Sequence, residues 1–201
     1  MASEVDLCNL ALARLGDSAT VSSINPPEGS AQAEHCARFY PIARDAVLES
    51  HPWHFATRRA SLPLLDVPAW GWSFAYGLPN NSLVALAVLS PNSLSDAETQ
   101  DFDIESTADG ARVLYTNQDD ATLRYVARVT DTSRFSPGFI EALSWLLASY
   151  LAGPLVKGND GAKMAKSAYQ QYAFIVAQAK ATDANQRQVD LDHMPEWMSR
   201  R

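Results

Sequence analysis

Basic residues are scarce in this chain. Sixteen Lys and Arg stand against 23 Asp and Glu, for a formal net charge of −7 and an isoelectric point near 5.0. A protein that grips nucleic acid by its phosphates needs an excess of Lys and Arg on one face. The opposite balance leaves two options: no contact with nucleic acid, or contact with DNA that slides past without sticking. Long apolar runs are missing too. No stretch of twenty apolar residues occurs, and the most apolar segment, 139–156, carries Glu141 and is interrupted by Gly153-Pro154. It reads as a buried helix and not as a membrane span. The first residues lack the basic flank and continuous apolar run of a signal peptide. Cysteine is limited to Cys8 and Cys36, both on predicted helices. They read as small buried hydrophobes in a reducing cytoplasm, not as a disulfide.

The usual catalytic signatures are also lacking. There is no G-x-S-x-G elbow, no G-x-G-x-x-G and no Walker sequence. Gly158-Asn159-Asp160-Gly161 reads as an interhelical turn. His35, Cys36, His51 and His54 fall within twenty residues. However, His35 and Cys36 are adjacent on a helix and point about 100° apart, which prevents them from converging on one ion. No catalytic, cofactor or metal site is expected.

What the chain does contain is a core. Apolar residues make up 47% and charged residues 19%, a globular composition. Ser3 with Asp6 starts a first helix, which Gly16 ends. A second helix runs from about 31 to 50, with a kink expected at Pro41, and stops before Pro52. Four prolines then punctuate residues 57–128, where strands are expected at 82–89, 102–106, 112–116 and 122–129. Asp109-Gly110 marks a tight turn between two of them. Ser136-Pro137 opens a third helix with a wide apolar face, broken at Gly153-Pro154. A fourth runs from about 160 to 184. The expected fold is α+β: a four-helix bundle (1–56 and 134–184), a small antiparallel β module inserted at 57–133, and an extended C-terminal tail at 185–201.

Two groups of residues carry functional expectations from this reading. His51, Pro52, Trp53 and Phe55 place aromatics at the junction between bundle and β module, as a hydrophobic plug or, alternatively, an interface anchor. Asp101, Asp103, Glu105, Asp119 and Asp120 lie at strand edges and turns. They read either as solvated turn residues or as acids that repel passing DNA.

Several motifs resemble the tail tubular protein A-like family of head-to-tail adaptors of tailed bacteriophages. They are 7–16 (LCNLALARLG), Ser22-Ser23-Ile24 with the following Pro-Pro-Glu loop, and 33–48 read as A-x-x-C-x-x-x-Y-x-x-x-R-D-x-x-L. His51-Pro52-Trp53-His54-Phe55-Ala56 with Arg59, 139–143 (FIEAL), 151–155 (LAGPL) and the closing Trp197 and Arg201 complete the set. Their order and spacing span nearly the whole chain, most weakly between Asp66 and Asp120. The resemblance implies a ring, commonly of twelve copies, that sits under the portal, extends the DNA channel and joins it to the next tail component, a nozzle or a tail tube or stopper. It implies that the bundle and tail contact portal protein or neighbouring copies, and that the β region faces the tail. Within the tail, Asp190, Leu191, Met194, Trp197, Arg200 and Arg201 are the expected partner-binding residues. DNA would pass without specific binding, along walls whose acidic side chains keep it from sticking. No membrane partner is implied. The location would be the head–tail junction of the virion, assembled in the host cytoplasm. The rival reading is a stand-alone binding module or small regulator; a cell-wall hydrolase is weaker, because its site residues are not found.

Overall fold

The Ser3 hydroxyl accepts from the Asp6 N–H at 3.1 Å, and the Asp6 carboxylate accepts from the Ser3 N–H at 2.8 Å. This reciprocal capping box starts α1 (Glu4–Arg14) in the computed structural model, which describes residues 2–18, 20–91 and 98–186. Ser30 and Ser136 likewise accept from the N–H groups of Ala33 and Phe139, opening α2 (Ala31–Glu49) and α3 (Pro137–Val156). The last helix, α4 (Gly158–Ala184), follows α3 after a single residue, Lys157, at φ 62°. Between α2 and α3 the described residues form seven strands: β1 (Thr57–Ser61), β2 (Phe74–Gly77), β3 (Ser82–Leu89), β4 (Thr99–Gln100), β5 (Phe102–Ser106), β6 (Arg112–Thr116) and β7 (Thr122–Ala127).

The strands form two antiparallel sheets, ordered β1-β7-β3-β4 and β2-β6-β5. Alternation along β7 assigns the layers. Leu123, Tyr125 and Ala127 point into a core shared with Tyr76 and Leu114 of the second sheet. Val126 points the other way, into the core built by the helices. Central strand β7 therefore has buried residues on both faces, whereas β1 and β4 at the sheet edges are partly or fully exposed. The outer face of the second sheet carries Ala75, Val113 and Tyr115, which pack under Leu65, Ala69 and Trp72 of the β1–β2 connection.

These findings correct the expected architecture. The fold is α+β with four helices and two sheets, not a four-helix bundle with a small β module. The helices do not form a ring of four mutual neighbours. Instead α3 is the centre on which α1, α2 and α4 pack, while α1 and α2 scarcely touch. The reason lies in the sequence of α3, which is apolar on all sides and not along one stripe. Phe139, Leu143, Leu147 and Leu151 are fully buried, each contributing roughly 1.5–3 kcal/mol of transfer free energy. By length and composition α3 could span a bilayer, yet half of that apolar window is buried inside the protein.

One expected helix interruption differs. Helix α2 spans Ala31–Glu49 with Pro41 inside it, as expected, but α3 runs through Pro154 to Val156. Pro154 lies in the last turn, where its missing N–H removes one hydrogen bond and no later turns depend on it. The break falls instead at Lys157-Gly158, both at φ near 60°. Three strands were not foreseen: β1, rich in arginine, β2 of four residues and β4 of two. The α3–α4 hairpin is tight at both ends. A methyl group on Gly138 would lie 2.9 Å from the Ala179 Cβ, and one on Gly161 would lie 3.1 Å from the Ala152 carbonyl oxygen.

Candidate functional site

Pro52 disfavours helical backbone at His51, so the chain leaves α2 there. The Trp53 N–H donates to the His51 carbonyl at 2.8 Å, and the N–H groups of Ala56 and Thr57 donate to the Trp53 carbonyl. This turn drives Trp53 inward. The indole is fully buried, donates from Nε1 to the Val47 carbonyl at 2.8 Å, and meets the Phe139 ring edge-on at 5.3 Å. Phe55 joins the same cluster, 5.1 Å from Phe139 and 5.7 Å from Phe135. Trp53 and Phe55 thus lock the end of α2 and the start of β1 onto α3.

The two histidines turn to the last turn of α4. Asp183, only 4% exposed, receives three contacts on one oxygen: His51 Nε2 at 3.1 Å, His54 Nδ1 at 2.9 Å and the His54 backbone N–H at 3.1 Å. An ionised carboxylate only accepts, so the ring nitrogens that face it are the ones carrying hydrogen. The arrangement ties three places together: the end of α2, the start of β1 and the end of α4. A His–Asp pair of this kind orients a base in hydrolases. Here no Ser, Thr or Cys among the described residues is hydrogen-bonded to either ring, and the geometry serves to hold the chain.

Beyond the histidines lies a cleft of about 540 Å³. Pro52, His51 and His54 form one wall; Arg58, Arg59 and Arg124 come from the first sheet; Ala184 closes the α4 side. Arg59 and Arg124 stand opposite each other in the β1–β7 register. Three arginines thus line one cleft in an acidic protein. Overall charge hid it, because net charge averages over faces; the Arg58-Arg59 doublet was the local signal. Asp183 was also missed, since it lies 129 residues from His54 and nothing local marks it.

The remaining candidates fall elsewhere. His35 stacks on Phe39, and the buried Cys36 thiol lies beside that of Cys8, which this neighbour and then burial push well above the usual thiol pKa. Among the described residues no group of three or more His, Cys, Asp and Glu is placed to hold a metal ion. The five acids, Asp101, Asp103, Glu105, Asp119 and Asp120, are all exposed. Asp103 and Glu105 occupy the outward positions of β5, whereas Asp119 and Asp120 form the β6–β7 turn, with Asp120 at φ 50°. Asp190, Leu191, Met194, Trp197, Arg200 and Arg201 lie outside the described residues.

Trp70 and Trp72, expected beside the Trp53 junction, lie instead on the β1–β2 connection, where Trp72 packs on the second sheet and Trp70 is exposed. The β1–β2 connection exposes Leu64 (62%) and Trp70 (74%), the latter at φ 49°, a backbone region that side-chain-bearing residues rarely adopt. On α4, Phe174 is 60% and Tyr169 56% exposed, about 140° apart around the helix. Comparison with protein-family models and with curated proteins finds no match to this chain.

Proposed function

We propose that this chain is a structural head-to-tail adaptor of a tailed bacteriophage, which forms a ring under the portal, lengthens the DNA channel and carries the next tail component. The observation that carries the reading is the exposure of large apolar side chains in two separate elements, Leu64 and Trp70 on the β1–β2 connection and Tyr169 and Phe174 on α4. A closed ring is built from heterologous contacts, so each subunit needs two different adhesive surfaces. Exposed Trp, Phe and Tyr are the residue types that anchor such contacts. The motif order along nearly the whole chain supports the same reading. So does the acidic balance, which lets DNA slide through a channel without being held. In this reading the partners are portal protein, neighbouring copies, the next tail protein and passing DNA. The place of action is the head–tail junction of the virion, after assembly in the host cytoplasm.

The test uses Trp70→Ser combined with Leu64→Ser. Both side chains are mostly in solvent, so the folded body should keep its melting temperature. Ring formation on portal, or capture of the next tail component, should fall at least tenfold. Unchanged assembly by the folded double variant would remove this surface from the account.

A further inference from the structure

Arg14, at the end of α1, is a cation short of acceptors. Its guanidinium lies 4.1 Å from the centre of the Trp145 ring on α3. The side chain is only 15% exposed, and Nε is buried with no hydrogen-bond partner among the described residues. Glu141 stands 3.9 Å from Nη2, beyond hydrogen-bond length, and is itself half exposed. Burial pulls the Arg14 pKa below the usual arginine value, and Glu141 only partly offsets this. Arg14 lines a cleft of about 450 Å³ with Leu15, Trp145, Lys163 and Met164. Lys163 meets Asp160 at 3.5 Å, but both are exposed, and such a solvated pair is weakly held. The cleft thus joins two cations to apolar walls. It suits a carboxylate with apolar side chains beside it.

We propose that this cleft receives Asp66 of a second copy of the chain, with Val67 and Trp70 of that copy packing against its apolar walls. This deepens the ring reading and rests on it for the neighbouring copy. Asp66 is exposed and shares its segment with Leu64, Val67 and Trp70, exposed by 62%, 39% and 74%. The exposed acids of β5 and of the β6–β7 turn have no exposed large apolar side chain beside them in sequence. Within one subunit Asp66 cannot reach Arg14. The β1–β2 connection packs on the outer face of the second sheet. The cleft is built by α1, α3 and α4, on the far side of the first sheet. The two surfaces differ, so the contact is head to tail, the kind from which a closed ring is made. It also supplies an anchoring pocket for Trp70, a residue type common at the centre of interfaces.

The experiment is cross-linking between two single-cysteine variants, Val67→Cys and Ser167→Cys. Ser167 is exposed and lines the cleft. Cys8 and Cys36 are buried, which leaves the new thiols as the reactive ones. A flexible bismaleimide is added to each variant alone and to their mixture, with and without portal protein. The mixture should give a dimer joined through positions 67 and 167, identified by peptide mapping. Each variant alone should not, because a head-to-tail contact then carries a single thiol. Asp66→Lys in the first variant, or Lys163→Glu in the second, should lower the yield about fivefold or more. Both changes lie on exposed side chains and leave the fold intact, and combined they should recover part of the yield. Three results would overturn the proposal: no 67–167 product in either mixture, a yield indifferent to both charge changes, or equal cross-linking by one variant alone. A 67–167 product from a chain that ignores portal would keep this contact and contradict the adaptor reading. A ring on portal without that product would do the reverse.

Discussion

Trp53 shows how much of the molecule hangs on one side chain. Its indole fills the space between the end of α2 and α3, and its N–H satisfies the Val47 carbonyl. Trp53→Ala would leave a cavity, while the Val47 carbonyl would still accept from the Ser50 hydroxyl and N–H. A loss of roughly 3–5 kcal/mol is expected from buried aromatic truncation, read from chemical denaturation; a change below about 1 kcal/mol would mean the ring does not fill the junction. The segment around Trp53 was legible because Pro52 and the aromatics mark it in the sequence. The partner of its histidines was not. Asp183 looks like any acid in the last turn of a polar helix, and only the fold brings it under His51 and His54. The R-D of the 33–48 motif shows the same limit from the other side. Arg44 and Arg128 both bond Asp45, at 2.9 and 2.8 Å, which ties α2 to the end of β7. Local spacing suggested Arg44 and Asp45 but gave no hint of Arg128.

At the scale of elements, the helices and the long strands were readable because caps, turn residues and periodicity agree with one another there. Strands β1, β2 and β4 carry no such agreement. β1 contains two adjacent arginines, and β2 and β4 are too short for a period to show. The central place of α3 was hidden for a related reason. An all-round apolar helix and one with a broad apolar face look alike until its neighbours are known. The α3–α4 hairpin offers a direct check. Gly138 allows Ala179 to approach within contact distance, and no room remains for a larger side chain. Gly138→Val should force the two helices apart and cost about 1–3 kcal/mol, with the denaturant slope unchanged because the same fold unfolds. Equal or higher stability would show that the hairpin is looser than described.

For the whole molecule, exposed apolar side chains on two elements and a charge distribution have to be reconciled with a role in an assembly. The acids on β5 and on the β6–β7 turn are solvent-facing, which suits either a channel wall or an outer surface. Replacing Asp101, Asp103, Glu105, Asp119 and Asp120 by Lys separates the two. On a channel wall the new cations would bind passing phosphate, so ejection of DNA should slow while particles still assemble. Ejection at the normal rate from assembled particles would take these five residues off the wall without touching the adaptor reading. The adaptor reading itself is tested most directly by sedimentation of the purified chain, alone and mixed with portal protein. The account predicts a monomer or weak oligomer alone, and a defined ring of this chain co-sedimenting with portal in the mixture. A species that sediments identically with and without portal, at concentrations well above those of assembly, would contradict it.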